Sequence, residues 1–250
     1  MSTIIVTAQN RSRFENTHVK SNAGIEISEG LGTVAFLSLI AKTYILAKAG
    51  SGIEAGEGIE AGESIEAGEG IKAGKGIKAG EGIEAGWGIE AGEGIEAGWG
   101  IEAGKGIKAG EGIEAGWGIE AGKSIEAGDG IKAGKGIEAG WGIEAGEGIE
   151  AGKSIEAGWG IEAGEGIEAG KSIEAGLSIT AKTIFSKFQI LAGICYWRAL
   201  KDEDIVISAK ILSGKVCHGK VVKPKVEIPA PSCVGKIVEV DGVKYKLVAA

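Results

Sequence analysis

Trp141 to Gly158 reads WGIEAGEGIEAGKSIEAG, and Trp159 to Gly176 repeats the same eighteen letters. Each copy contains three six-residue units, so the stretch carries two periods at once. The shorter period extends far beyond it. Isoleucine occupies every sixth position from Ile53 to Ile179, in 22 copies, and alanine follows two residues later from Ala55 to Ala181. Between them stands Glu or Lys. After them come Gly, a variable residue, and Gly or Ser.

In extended chain, residues i and i+2 face the same side. Ile and Ala therefore point inward together, and the charge between them points to water. The Gly–variable–Gly segment predicts a turn in which glycine supplies positive φ. Three-residue strands bury almost nothing in a sandwich. Coiled into a solenoid, each strand stacks on its copy one coil away, and the Ile and Ala columns form a continuous core. A helix is disfavoured, because two glycines in most hexads cost roughly 2 kcal/mol per six residues relative to alanine. The spacing predicts an all-β fold, a single-stranded β-solenoid (β-helix) of six-residue repeats.

A period of six allows a triangular coil of eighteen residues or a flat two-sheet coil of twelve. The Trp141–Gly176 duplication keeps every face of a triangle in register and swaps the faces of a ribbon. The variable positions agree. Taken every eighteenth residue, one series reads Glu57, Lys75, Glu93, Glu111, Asp129, Glu147, Glu165, without tryptophan. A second reads Glu63, Glu81, Trp99, Trp117, Lys135, Lys153, Lys171, and a third Glu69, Trp87, Lys105, Lys123, Trp141, Trp159, Leu177. A further repeat, Lys75 to Gly92 against Lys105 to Gly122, is offset by thirty and fits neither coil. The triangle is the favoured expectation and the twelve-residue coil its alternative. Seven triangular coils at about 4.8 Å each give a rod of roughly 35 Å.

Tandem hexapeptides are the mark of left-handed β-helices, many of them acyltransferases. Those place a small residue two positions before the large aliphatic one, whereas here Ile stands two positions before Ala. Over roughly residues 47–182 the I-x-A-G rhythm resembles polymer-forming cytoskeletal solenoids of the bactofilin kind. That resemblance implies a right-handed helix.

Composition bounds the remaining possibilities. There are 47 Gly and 3 Pro in 250 residues, without the three-residue period of collagen. The start MSTIIVTAQNRSRF has no secretory pattern. The apolar stretch from Thr33 to Ala47 is broken by Lys42 and is too short for a bilayer. A cytoplasmic protein without a membrane segment is expected. Cys195, Cys217 and Cys233 form no CxxC pair, so neither a disulfide framework nor a metal site is expected.

Residues 1–46 read as an N-terminal segment and cap, 47–182 as the solenoid, and 183–222 as degenerate coils and cap. In the flanks Ala47 and Ala49, and Ala35 and Leu37, take the inward phase upstream. Ile205/Ile207, Ile211/Ser213 and Cys217/Gly219 take it downstream. Residues 223–232 read as a proline-rich linker. Residues 233–250 read as a β-hairpin turning at Asp241-Gly242.

Catalysis needs groups with tunable pKa values. The only histidines are His18 and His218, both outside the array, and Cys217 and His218 as strand neighbours point to opposite faces. No catalytic residue, cofactor or metal is expected, and an acyltransferase is disfavoured. What remains is the outer surface. From Glu54 to Leu177 the charge position holds 17 Glu and 4 Lys, and the array sums to −16 of a chain whose total is −8. Trp87, Trp99, Trp117, Trp141 and Trp159 sit at exposed turns and mark a candidate surface for a protein partner or self-association. The acidic face Glu57, Glu93, Glu111, Asp129, Glu147 and Glu165 repels nucleic acid and is a candidate mimic of it. The leading expectation is a non-enzymatic structural or assembly solenoid, with a phage or mobile element as the candidate source. The alternative is an acidic module that blocks a partner's nucleic-acid site.

Overall fold

The structure is a computed structural model. It describes residues 2–195, 199–202, 204–223, 237–240 and 243–246, the last two segments as backbone only. In the array each Ile–charge–Ala triplet lies in a strand, and from Ile71 to Ala163 every strand pairs in parallel with those eighteen residues before and after it. Ile71 lies between Ile53 and Ile89, Ile77 between Ile59 and Ile95, and Ile83 between Ile65 and Ile101. This is the triangular coil, and the twelve-residue alternative is overturned. About 12 turns stack into one β-solenoid, a rod of about 55 Å at the spacing of paired strands. Face 1 carries the Ile53 column, face 2 the Ile59 column and face 3 the Ile65 column. Edges 1, 2 and 3 are the corners that follow faces 1, 2 and 3.

Isoleucine and alanine fill the interior from end to end. Ile113 is 1% exposed and Ala115 2%, and the other array pairs are similarly buried. Each such isoleucine contributes about 1.5–3 kcal/mol of hydrophobic stabilisation. The corners are hydrogen-bonded coil to coil as well. The Trp117 N–H donates to the Trp99 carbonyl at 2.7 Å, and the Gly116 N–H to the Ala97 carbonyl at 3.1 Å. The backbone ladder therefore runs round the whole triangle, which meets the requirement that buried N–H and C=O groups be paired.

The expected reason for the glycines is corrected. No glycine from Gly52 to Gly176 has a positive φ; among the described residues the positive-φ glycines are Gly30, Gly32, Gly50, Gly193, Gly214 and Gly219, before or after the Ile53–Ile179 array. In the array the fourth position is glycine because of close approach. A Cβ on Gly98 would lie 2.0 Å from the Gly80 carbonyl oxygen. The sixth position is looser: a Cβ on Gly100 meets the Gly118 oxygen at 3.5 Å, and serine stands there at Ser64, Ser124, Ser154, Ser172 and Ser178.

The flanks continue the same three faces with other coil lengths, and this corrects their expected phase. Upstream, Leu39 pairs with Ile59 and Ile45 with Ile65, an offset of twenty. The inward residues are Val34/Phe36, Leu39/Ala41 and Ile45/Ala47, while Leu37 is 41% exposed. Downstream, the strand Ile179–Ala192 wraps all three faces without glycine corners. Strand Val206–His218 follows it through Ile207, Ile211 and Val216, and Cys217 faces out. The next contact, Ile207 with Val221, closes a coil of only fourteen residues, so the core tapers.

An open solenoid end exposes strand edges. At the N-terminal end residues 11–14 cover one. Arg11 donates to the Leu31 and Thr33 carbonyls at 2.6 and 2.9 Å, and Phe14 packs on the core. Lys220–Val222 is a strand on face 1. Ile237–Val240 and Val243–Lys246 form an antiparallel pair, while the proline-rich segment and the Asp241-Gly242 turn lie outside the described residues. Among the described residues no helix is long and apolar enough to cross a membrane.

Candidate interaction surface

Because every coil of the array has the same length, each outward residue type forms a column with one rung per coil. The variable positions make the three edges, in the three series read from the sequence. Edge 2 carries Trp99 and Trp117, 58% and 55% exposed; edge 3 carries Trp87, Trp141 and Trp159, 52%, 42% and 48% exposed. Trp99 stacks on Trp117 with ring centroids 6.1 Å apart, and Trp141 on Trp159 at 5.3 Å and 7° between planes. Lysine lies over three of these tryptophans, one in each stack and one over the unstacked Trp87. Lys135 lies 3.4 Å from the Trp117 ring centre, Lys105 4.2 Å from Trp87 and Lys123 4.8 Å from Trp141. Cation–π contacts of this exposure contribute about 0.5–1 kcal/mol each.

Edge 1 brings together Glu57, Glu93, Glu111, Asp129, Glu147 and Glu165, with Lys75 among them at 3.8 Å from Glu57. The middles of the faces form a second set of columns, which a six-residue reading of the sequence does not separate. All four lysines of the face positions lie on faces 1 and 2, and each pairs with the glutamate one coil further on. The pairs are Lys72–Glu90, Lys78–Glu96, Lys108–Glu126 and Lys132–Glu150, at 3.9, 2.9, 3.4 and 3.6 Å. Both partners are more than 45% exposed, so each pair contributes about 0–1 kcal/mol. The Glu96 carboxylate raises the Lys78 pKa above its ordinary value.

Face 3 has no lysine at this position. Its middle column is Glu66, Glu84, Glu102, Glu120, Glu138, Glu156 and Glu174, in register from coil to coil. Partial burial, and then the charges of Glu120 and Glu156, raise the Glu138 pKa. In steps of eighteen the charge position, like the variable one, carries this column in the sequence.

The histidines lie at opposite ends of the rod. His18 Nδ1 is 2.8 Å from Ser38 Oγ, and His218 Nδ1 is 2.5 Å from the Ala192 carbonyl oxygen. His18 Nδ1 is also 4.0 Å from a Glu57 carboxylate oxygen, so the serine and the carboxylate meet the same ring nitrogen. Cys195 is buried and Cys217 exposed, and Cys233 lies outside the described residues. Among the described residues no group of three or more His, Cys, Asp or Glu side chains is placed to hold a metal ion. In comparisons with protein-family models, with curated proteins and with solved structures, nothing matches this chain.

Proposed function

We propose that the chain is a non-enzymatic structural or assembly element, a rigid rod whose edges are its contact surfaces. The observation that carries this is the placement of five half-exposed tryptophans in two in-register columns on a backbone hydrogen-bonded round every coil. Tryptophan is enriched where proteins meet, because it brings a large apolar area at small entropic cost. The frame supports the same use, since a solenoid presents long, evenly spaced surfaces.

The test compares wild type with a variant in which Trp87, Trp99, Trp117, Trp141 and Trp159 are all Gln. Circular dichroism first establishes that both are β-folded. Self-association is then measured by sedimentation, and partner capture from the native host by immobilised full-length chain. Loss of association in the variant supports the proposal. Equal association by both proteins refutes it.

The lysine-free glutamate column on face 3 favours a second reading, an acidic module that binds a basic protein surface. It requires salt-sensitive binding that is lost when Glu84, Glu102, Glu120 and Glu138 become Gln. The edge 1 column Glu57, Glu93, Glu111, Glu147 and Glu165 is the companion set for the same experiment.

A further inference from the structure

Edge 2, taken along the rod, runs Glu63, Glu81, Trp99, Trp117, Lys135, Lys153, Lys171. Two acids stand at one end, three lysines at the other and an aromatic pair between them. We propose that edge 2 is a self-complementary seam through which two copies of this chain pair antiparallel about Trp117; this rests on the assembly reading above and gives it a specific partner.

The rungs decide it. Antiparallel apposition centred on Trp117 sets Glu63 against the second copy's Lys171, Glu81 against its Lys153, Trp99 against its Lys135, and Trp117 against its Trp117. Symmetry supplies the remaining three rungs. All seven are attractive: four ion pairs, two lysine–aromatic contacts and one aromatic pair. The lysine–aromatic contact already occurs within the chain, where Lys135 lies 3.4 Å from the Trp117 ring centre. Parallel apposition instead sets Glu on Glu and Lys on Lys, so the direction follows from the charges. An isologous two-fold contact is also the commonest way for identical chains to close an assembly.

Two further observations single out this edge. Lysines on faces 1 and 2 are matched with a glutamate of their own chain, but Glu63, Glu81, Lys153 and Lys171 have no ion pair among the described residues. All four side chains are exposed. Edges 1 and 3 and face 3 match themselves at fewer rungs. Edge 1 sets acid on acid at most rungs. Edge 3, centred on its middle rung, sets Lys123 on its own copy and leaves Glu69 opposite Leu177. Face 3 sets its glutamate column against itself. On faces 1 and 2 each lysine is already paired with a glutamate of its own chain, so the unspent charges lie on the edge.

The test is sedimentation equilibrium of the full chain at about 20 mM and about 500 mM salt, which differ severalfold in screening length. The expected result is a dimer at low salt whose dissociation constant rises at least about tenfold at high salt. Glu63→Lys with Glu81→Lys makes the edge basic at both ends, and Lys135→Glu, Lys153→Glu and Lys171→Glu makes it acidic. Each variant alone is expected to be monomeric, and an equimolar mixture of the two to form a heterodimer. Recovery of pairing in the mixture also shows that both variants fold. The same number of reversals on edge 1 leaves the wild-type dimer intact.

A wild-type chain that stays monomeric at about 100 μM in low salt overturns the proposal. So does a dimer that tightens as salt rises, or a mixture that stays monomeric. These results leave the assembly reading standing where the tryptophans still mediate capture of another protein, and it falls separately if their removal changes no association.

Discussion

At the scale of single residues, the fold rests on two exclusions, of water from the Ile and Ala columns and of a Cβ from the fourth position. Ile113→Val removes one methylene from a fully buried site and is expected to cost about 0.5–1.5 kcal/mol. Ala115→Leu has no space to enter and is expected to cost about 1–3 kcal/mol. Glu114→Gln faces water between Glu96 and Lys132 and is expected to change stability by less than about 0.5 kcal/mol. The glycines separate more sharply. Gly98→Ala brings a methyl within 2.0 Å of the Gly80 carbonyl oxygen, so the corner must open and its coil-to-coil hydrogen bonds lengthen. Gly100→Ala meets its nearest atom at 3.5 Å and is expected to be neutral or mildly stabilising, since it also lowers the freedom of the unfolded chain. Thermal melts of this pair decide between close approach and backbone strain as the reason for glycine. Strain would penalise both residues alike.

At the scale of strands and columns, the face 3 ladder makes stability depend on pH in a definite direction. The folded-state pKa of Glu138 is raised above its ordinary value of 4.5, so the folded chain binds its proton more tightly than the unfolded chain does. The cost of keeping it charged is fully present above the folded pKa and is relieved as pH falls through it towards the unfolded value. Glu26 works the other way. The Tyr44 hydroxyl and then Lys48 lower its pKa, so its contribution is present above the ordinary carboxylate value and is lost below it. The melting temperature is therefore expected to rise from neutral pH towards the ordinary carboxylate range and to fall on stronger acidification. Replacing Glu120 and Glu138 by Gln relieves like-charge neighbours worth about 0.2–1 kcal/mol each. That variant should melt higher at neutral pH and show a smaller acid-side rise; a neutral-pH melting temperature at or below wild type would count against the ladder as a repulsive element.

The columns also show what the sequence discloses. Coil length was legible because the tryptophans occupy only two of three series, and the in/out pattern because Ile and Ala alternate with charge. The flank phase was not. Corners at Gly30 and Gly50 absorb extra residues through left-handed glycines. Alternation along a strand carries no record of how long the preceding corner is. The contact set of edge 2 was visible in part: its tryptophans stood out, but its lysines become meaningful only once seven rungs are placed on one line.

At the scale of the whole molecule, the core and the surface obey different periods, and deletions separate them. All three faces have the same Ile and Ala interior, so the core repeats every six residues, while the edges repeat only every eighteen. Removing Trp159–Gly176 takes out one whole coil. Every later residue keeps its face, and edge 2 keeps Glu63, Glu81, Trp99, Trp117, Lys135 and Lys153. Removing Gly118–Lys123 takes out one hexad and moves every later residue round by one face. Edge 2 then continues from Trp117 into Trp141 and Trp159, and its three lysines pass to edge 1. Both deletions are expected to retain the β circular-dichroism spectrum. The coil deletion should lower thermal stability at least as much, because it removes three buried strands against one, and repeat stability is roughly the sum of its units and their interfaces. Antiparallel pairing should survive the coil deletion and disappear with the hexad deletion. A hexad deletion that unfolds the rod would mean that the three faces are not interchangeable inside. One that still pairs as wild type would mean that the seam does not depend on the order of edge 2.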